Sequence, residues 1–599
     1  MHWIKNLGLL LALVSCFTYA SVSPQRAENA RAEHLFERFF NEQVSLSPMY
    51  QASLGRKTHY GEWDDISPKG DELAQRLAAD QLQRLARLNT EQLTPANRLN
   101  VQLLRAELEQ QIEHYRWRDY GYPVNQMFGL HAGVVSFLIN THQVDTQADA
   151  EAYIERLRGI KPLFDQLINN LERRARTEII APDFVYPYVI DDSRNIISGA
   201  PFDDQPASPL WRDFTQKLEA LNLSAETQDK LSNNARVALV EQVKPAYQQL
   251  IEALEGLQQH ADKRAGVWKF PAGEAYYRAR LQATTTTDLT APQIHQIGLD
   301  EVERIHRDMR AIIQSLNFDG DLTDFFATLK EDPRFYYPDT EEGRDQYLAD
   351  TRALIEQMEA HLPELFTRLP QAELSVKAVE PFREKSAGKA FYQSPAQDGS
   401  RPGIYYVNLH DLRAMPRYQM RALAYHEAVP GHHMQIAIAQ ELDELPEFRR
   451  HNHYTAYIEG WGLYAEWIPT QLGLYDDPYA DFGRLSFELW RAIRLVVDTG
   501  IHHHRWSREQ AIDYFVANSP MTRADATREV ERYIVMPGQA TAYKVGMMKI
   551  MQLREHAQHT LGEDFSVREF HDLVLSGGAL PLDILEQRVQ QWLDSQSAP

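Results

Sequence analysis

The sequence predicts a mainly α protein of two large helical lobes, with a small β-hairpin or sheet beside one helix. Three observations carry that reading. The chain has 599 residues, well past the roughly 250–300 at which a single core stops growing. Apolar residues recur at three- and four-residue steps along most of its length, the period of a helix with one buried face. Strand-type patterning is confined to Ala390 through Leu409. Hydrophobic residues at 43% and charged residues at 24% exclude a disordered, collagen-like or polytopic membrane chain. A net charge of -22 repels a phosphate backbone, so nucleic acid is not an expected partner.

Residues 1–20 read as an export signal: Lys5 precedes the apolar run Leu7 to Val14, which is too short to span a bilayer. Two processing routes are open. Leu13-Val14-Ser15-Cys16 resembles a bacterial lipobox with a lipidated cysteine, and Thr18-Tyr19-Ala20 offers ordinary cleavage. The mature protein is accordingly expected in the periplasm, or anchored to a membrane as a lipoprotein through Cys16. Cys16 is the only cysteine, so no internal disulfide is expected.

Residues 21–283 form the expected N-terminal lobe, with helical spacing at Leu35-Phe36-Phe39-Phe40, Leu82 to Leu108 and Leu239 to Leu257. Residues 177–212 carry Pro182, Pro187, Pro201, Pro206 and Pro209 and read as a long irregular loop over a cleft. Thr284 to Thr287 marks the expected boundary to a catalytic lobe, 284–599. Thr290-Ala291-Pro292-Gln293 then caps a helix with Ile294, Ile297, Val302, Ile305, Met309 and Ile312 on its apolar face. Ser566 to Glu569 starts another in the same way. Between them Phe391-Tyr392 and Ile404 to Val407 flank Asp398-Gly399-Ser400-Arg401-Pro402-Gly403, a hairpin signature.

Chemistry concentrates in Tyr425-His426-Glu427-Ala428-Val429-Pro430-Gly431-His432-His433. In a zincin helix two imidazoles bind zinc, and the carboxylate after the first takes a proton from the attacking water. The usual second histidine falls at i+4, which here is Pro430. On an unbroken helix His432 lies about 120° off the His426 face and about 9 Å along the axis, and His433 about 10.5 Å along it. Neither shares one ion with His426 at zinc–nitrogen bonds of about 2.1 Å. Pro430 removes an amide donor and Gly431 permits unusual backbone angles, so a distorted turn is expected to return one of the two histidines to the metal. A third ligand is available in Glu459, 27 residues after His432. Glu466, two turns further on, is a rival ligand or a supporting partner. Gly460 and Gly462 imply close approach of another backbone.

The Ile404 to Val407 strand is placed where a zincin has an edge strand that pairs with an extended peptide, which makes Tyr405 a candidate substrate contact. Tyr543, with His502 as alternative, is a candidate donor to the oxyanion. Arg532 and Lys544 are candidates for binding a peptide carboxylate.

His-Glu-Ala-Val-Pro-Gly-His-His, Glu-Gly-Trp-Gly-Leu-Tyr-Ala-Glu and Pro-Gly-Gln-Ala-Thr-Ala-Tyr occur in that order, and with them the sequence resembles the bacterial domain-of-unknown-function family numbered 885. That family is grouped with the thermolysin-like metallopeptidases, and its members are often exported proteins or lipoproteins. The order of parts is also similar to mainly helical peptidases such as angiotensin-converting enzyme and thimet oligopeptidase. The resemblance implies His432 over His433 as ligand, and a deep channel between helical lobes that accepts short peptides.

The reading is a zinc metallopeptidase with one Zn²⁺ per chain held by His426, His432 and Glu459, Glu427 as general base, and a peptide as substrate. Its alternatives are an exported metallohydrolase of a non-peptide amide or ester, and a non-catalytic binding lipoprotein.

Overall fold

The computed structural model describes all residues except 1–22, 380–383, 385–387, 396–400 and 597–599. The signal segment with Cys16 and Ala20, and Asp398 to Ser400 of the hairpin turn, lie outside the described residues. The described residues form twenty-four α-helices and one three-stranded sheet, a mainly α fold with a small sheet as expected. No helix among them is long and apolar enough to cross a membrane.

Capping follows the sequence signals. The Thr290 amide donates to Gln293 Oε1 at 2.9 Å, starting helix Ala291–Ser315, and Ser566 accepts from the Glu569 amide at the start of Val567–Leu575. The proline-rich stretch 177–212 departs from expectation, because it contains helix Val185–Ile196. Pro187 sits in that helix's first turn, where its missing amide hydrogen has no partner to lose. Val185, Tyr186, Val189 and Ile190 are buried at helical spacing, and Pro209 opens the next helix, Pro209–Glu219.

The sheet consists of β1 (Leu374–Ala378), β2 (Ala390–Gln393) and β3 (Gly403–Val407) in the order β1-β3-β2. β2 and β3 make the expected antiparallel hairpin, with Tyr392 opposite Tyr405. β3 is not the edge strand that was anticipated: β1 pairs with it in parallel on its other side. Its five residues are all buried, so the sheet edges belong to β1 and β2.

The hydrophobic cores do not part at residue 284. One core joins Trp117 to Phe335 with residues around Phe482 to Val545, and the other joins Ala32 to Leu108 with Tyr337 to Leu593. The first helices therefore pack with the C-terminal region. Residues 286–290 are a short turn, after which helix Ala291–Ser315 lies along helix Pro478–His502. There a Cβ on Gly298 would stand 2.7 Å from Val496 Cγ2.

Helices Thr455–Trp467 and Ala542–Leu561 cross even more closely. A Cβ at Gly546 would lie 1.8 Å from the Ala456 carbonyl oxygen, and one at Gly460 would lie 2.5 Å from the Gly546 backbone. These glycines lower helix propensity by about 1 kcal/mol each, and the contact requires both. Gly546→Val is expected to destabilise the protein by about 3 kcal/mol or more, the upper end of overpacking costs. Denaturant unfolding of the two proteins measures the difference, and equal midpoints would disprove the close crossing.

Candidate metal centre

Helix Met420–Glu427 stops after Glu427, and a new helix, His432–Gln440, begins after four intervening residues. Ala428 takes φ -97° and ψ -113°, outside the helical region. A Cβ at Gly431 would stand 2.0 Å from the His426 carbonyl oxygen and 2.3 Å from that of Tyr425, so only glycine fits. Trp461 Nε1 donates to the Pro430 carbonyl at 2.8 Å and ties the break to the following helix. The interruption is larger than a bulge, and it reverses the straight-helix geometry: the His426 and His432 rings lie 4.6 Å apart, centroid to centroid.

Glu459, from helix Thr455–Trp467, completes the cluster. Its Oε2 lies 3.7 Å from His426 Nε2 and 3.5 Å from His432 Nε2, and the three ligand atoms fall within 4.8 Å of one another. Bonds of about 2.1 Å at tetrahedral angles need ligand atoms about 3.4 Å apart. The residues fit a zinc ion. Gly462 supports the same conclusion, since a Cβ there would lie 2.9 Å from His426 Nε2 and 3.0 Å from His432 Cε1. The space before the two nitrogens exists because position 462 has no side chain.

Glu466 is a supporting partner. Its Oε1 accepts from His426 Nδ1 at 2.8 Å, which leaves Nε2 free to face Glu459 and to serve a metal. Burial pulls the His426 imidazole down, but hydrogen bonds to Glu459 and Glu466 outweigh this and raise it to about 10. Burial likewise pushes Glu459 up, and its contacts with His426 and His432 overcome that and hold it well below the carboxylate range. The donor set therefore favours positive charge at its centre. Glu427 is buried, its Oε2 has no hydrogen-bond partner among the described residues, and burial raises its carboxyl against the opposing pull of both imidazoles.

His433 points elsewhere. It is 3% exposed and its Nδ1 meets the Tyr392 hydroxyl at 3.0 Å, tying the motif to β2. Tyr543 is almost buried and its hydroxyl accepts from Arg532 at 3.3 Å, which leaves its own proton to donate.

Four other expectations change. His502 is no alternative to Tyr543: its Nδ1 accepts from the Val267 amide and its Nε2 meets the Tyr533 carbonyl, so both ring nitrogens serve the core. Lys544 is 2% exposed and held by Glu488 at 2.7 Å and Glu301 at 2.8 Å, so it has no charge to offer a peptide. Arg532 positions Gln539 and Tyr543. Tyr405 is fully buried and presents no surface to substrate, although its unpartnered hydroxyl lies within the field of Glu427.

The sequence reading missed two residues. Arg491 approaches Glu466 Oε1 at 3.8 Å. Exposed His453 lies close enough to Glu459 and His432 to feel both charges. Neither carried a clear sequence signal: Arg491 is one of six charged residues in helix Pro478–His502, and His453 lies outside the metal-ligand motif.

A cavity of about 1560 Å³, walled in part by Glu301, Arg304, Glu488, Lys544 and Met551, lies between the helices. None of His426, Glu427, His432 and Glu459 lines it. Its basic side chains are paired with its own carboxylates, whereas the donor atoms of His426, His432 and Glu459 converge on one point.

The family model for DUF885, described as a bacterial protein of unknown function, matches residues 48–589, and the chain belongs to that family. It is similar to the crystal structure of a protein from Colwellia psychrerythraea provisionally named a lipoprotein. The two share 32% identity over 95% of this chain and 100% of the other, with a TM-score of 0.89. A protein from Shewanella oneidensis, provisionally named a lipoprotein of unknown function, shares the fold at 18% identity and a TM-score of 0.73, over 93% of this chain and 99% of that one. No curated protein matches the chain.

Metal analysis tests the cluster directly. His432→Ala is expected to lose bound zinc while His433→Ala keeps it, and the reverse result would reassign the ligand. Gly462→Ala is expected to gain about 1 kcal/mol of helix propensity yet lower zinc occupancy, because its methyl group fills the space before both imidazoles. Full zinc retention in that variant would contradict the ligand geometry.

Proposed function

We propose that this protein is an exported, zinc-dependent peptidase. The observation that carries the reading is the convergence of His426 Nε2, His432 Nε2 and Glu459 Oε2 beside Glu427, which directly follows one of the three ligands. Two imidazoles and one carboxylate form a catalytic set that leaves a fourth position open. Zinc bound there would supply a Lewis acid that polarises a carbonyl and acidifies water.

The chain's own residues supply the rest. Glu427 accepts the proton of the attacking water and returns it to the leaving amine, a task suited to a carboxyl whose burial strengthens its hold on a proton. Glu466 holds the ring orientation of His426. Tyr543 donates its hydroxyl proton to the oxyanion while Arg532 fixes the phenol oxygen.

Glu427→Gln is expected to keep about one zinc per chain and lose ~10²- to 10⁴-fold in turnover of a mixed peptide pool. Glu459→Ala is expected to lose the metal itself and to regain some activity when zinc is in excess. Peptide hydrolysis at the wild-type rate by Glu427→Gln would rule out the mechanism. A zinc-loaded wild type that cleaves amides or esters but no peptide would move the same centre to another substrate, and one that cleaves nothing would leave a binding protein.

Export rests on residues 1–20 and on the lipoprotein names of the two similar structures. A lipid on Cys16 adds about 0.8 kcal/mol of membrane affinity per buried methylene. Cys16→Ser is thus expected to shift the protein from the membrane to the soluble fraction and to abolish lipid labelling. A mature N-terminus at Ser21 in the wild type would end the lipoprotein assignment.

A further inference from the structure

Three charged side chains follow one another along helix Pro478–His502 at three-residue steps: Glu488, Arg491 and Arg494. The outer two are satisfied. Glu488 is paired with Lys544, Arg304 and Arg484, while Arg494 donates to the Tyr533 hydroxyl at 3.1 Å and to Glu529 at 3.0 Å. Arg491 is not. Its side chain is 7% exposed, yet Nε has no partner among the described residues. Nη1 makes one long bond, 3.4 Å, to the Phe487 carbonyl of its own helix, and Nη2 stops 3.8 Å from Glu466, beyond hydrogen-bond reach.

A buried guanidinium with most of its donors unmatched is costly, and native proteins pair such groups. The aromatic faces around it, Phe487 at 4.9 Å and Trp490 at 4.7 Å, hold the plane without satisfying the N–H groups. Its location names the missing partner. Arg491 lies beside Glu466, which orients His426, and 5.8 Å from the ring of Tyr543. Its charge also acts on Glu427 and Glu459. An anion that reaches this fork therefore lies next to the reacting groups.

We infer that Arg491 receives the free C-terminal carboxylate of a short peptide, so that the site removes residues from peptide C-termini. This rests on the peptidase reading and narrows it to one substrate class. A planar fork matches a carboxylate with two parallel hydrogen bonds, which a lysine cannot reproduce. In a chain of net charge -22, a local cation is also what admits an anionic chain end. Arg491 thereby takes the role first expected of Arg532 and Lys544.

The test uses full-length, zinc-loaded protein and one set of tetrapeptides made in two forms, with a C-terminal acid and with a C-terminal amide. Wild type is expected to prefer the acids by on the order of 10²-fold in kcat/KM, the scale of a lost charge-assisted pair. Arg491→Met is expected to bring the acid-to-amide ratio close to one while zinc content stays near one per chain. Arg491→Lys is expected to fall between them. A wild-type ratio near one, or an unchanged ratio in a zinc-loaded Arg491→Met, would overturn the assignment while leaving peptidase activity intact. If Arg491→Met fails to fold, the wild-type ratio together with Arg491→Lys decides. Cleavage of neither form by zinc-loaded wild type would instead defeat the peptidase reading, and this inference with it.

Discussion

Between Glu427 and His432 the backbone passes so close to itself that a Cβ at Gly431 would stand 2.0 Å from the carbonyl oxygen of His426. Only glycine permits that approach, and proline before it removes the amide that would continue the helix. Without the break His432 would stand about 9 Å further along one axis; with it, the two rings touch edge to face. The adjacent His433 then faces away and bonds Tyr392, so one interruption supplies both a member of the His426–His432–Glu459 cluster and an anchor to the sheet. Gly403 completes that anchor, since a Cβ there would lie 2.6 Å from the Tyr392 hydroxyl oxygen and 2.8 Å from His433 Nδ1.

Charge burial around the site follows a different logic from charge at the surface. Glu488 is held to about 2 because Lys544, Arg304 and Arg484 overcome the effect of its burial, and removing any one of them would leave an uncompensated ion in the interior. Such a network fixes the spacing of helices Ala291–Ser315, Pro478–His502 and Ala542–Leu561 at once. It also explains why a lysine adjacent to Tyr543 in sequence contributes nothing to a substrate. The cation left with unmatched donors, Arg491, is on the same helix between two satisfied networks, and that contrast is what the carboxylate-binding proposal rests on.

Much of this was legible in the sequence, and the failures have identifiable causes. Helical periodicity and the Thr290 and Ser566 caps are local properties, which is why they read correctly. His426 and Glu459, which the structure brings together with His432, could be picked out because metal-ligand chemistry limits the residue types, and the Pro-Gly pair announced a break. The extent of the break was not legible, since it depends on Trp461 reaching Pro430 from another helix. The proline-rich stretch misled because a proline in a first turn costs a helix nothing. β3 was placed at an edge because its parallel partner, β1, comes earlier in the chain and pairs non-locally. His502 and Lys544 are ordinary donors by composition, and only their three-dimensional partners reveal them as core residues.

The crossing of helices Thr455–Trp467 and Ala542–Leu561 binds stability and function into one contact. Gly460 and Gly546 let the two backbones meet, and each is one step removed from chemistry: Gly460 follows Glu459, and Gly546 lies one turn after Tyr543. A wider crossing would move the carboxylate ligand and the phenol apart by the same displacement that admits a side chain. Catalytic geometry tolerates about half an ångström of such error. Helix propensity is therefore given up at two positions, about 1 kcal/mol each, in return for a fixed distance between Glu459 and Tyr543, the proposed metal ligand and the proposed oxyanion donor. Gly462, one turn from Glu459 on the same helix, follows the same rule toward the imidazoles. The glutamate helix thus has one glycine for each neighbour it must approach, Gly460 for the Gly546 backbone and Gly462 for the two imidazoles.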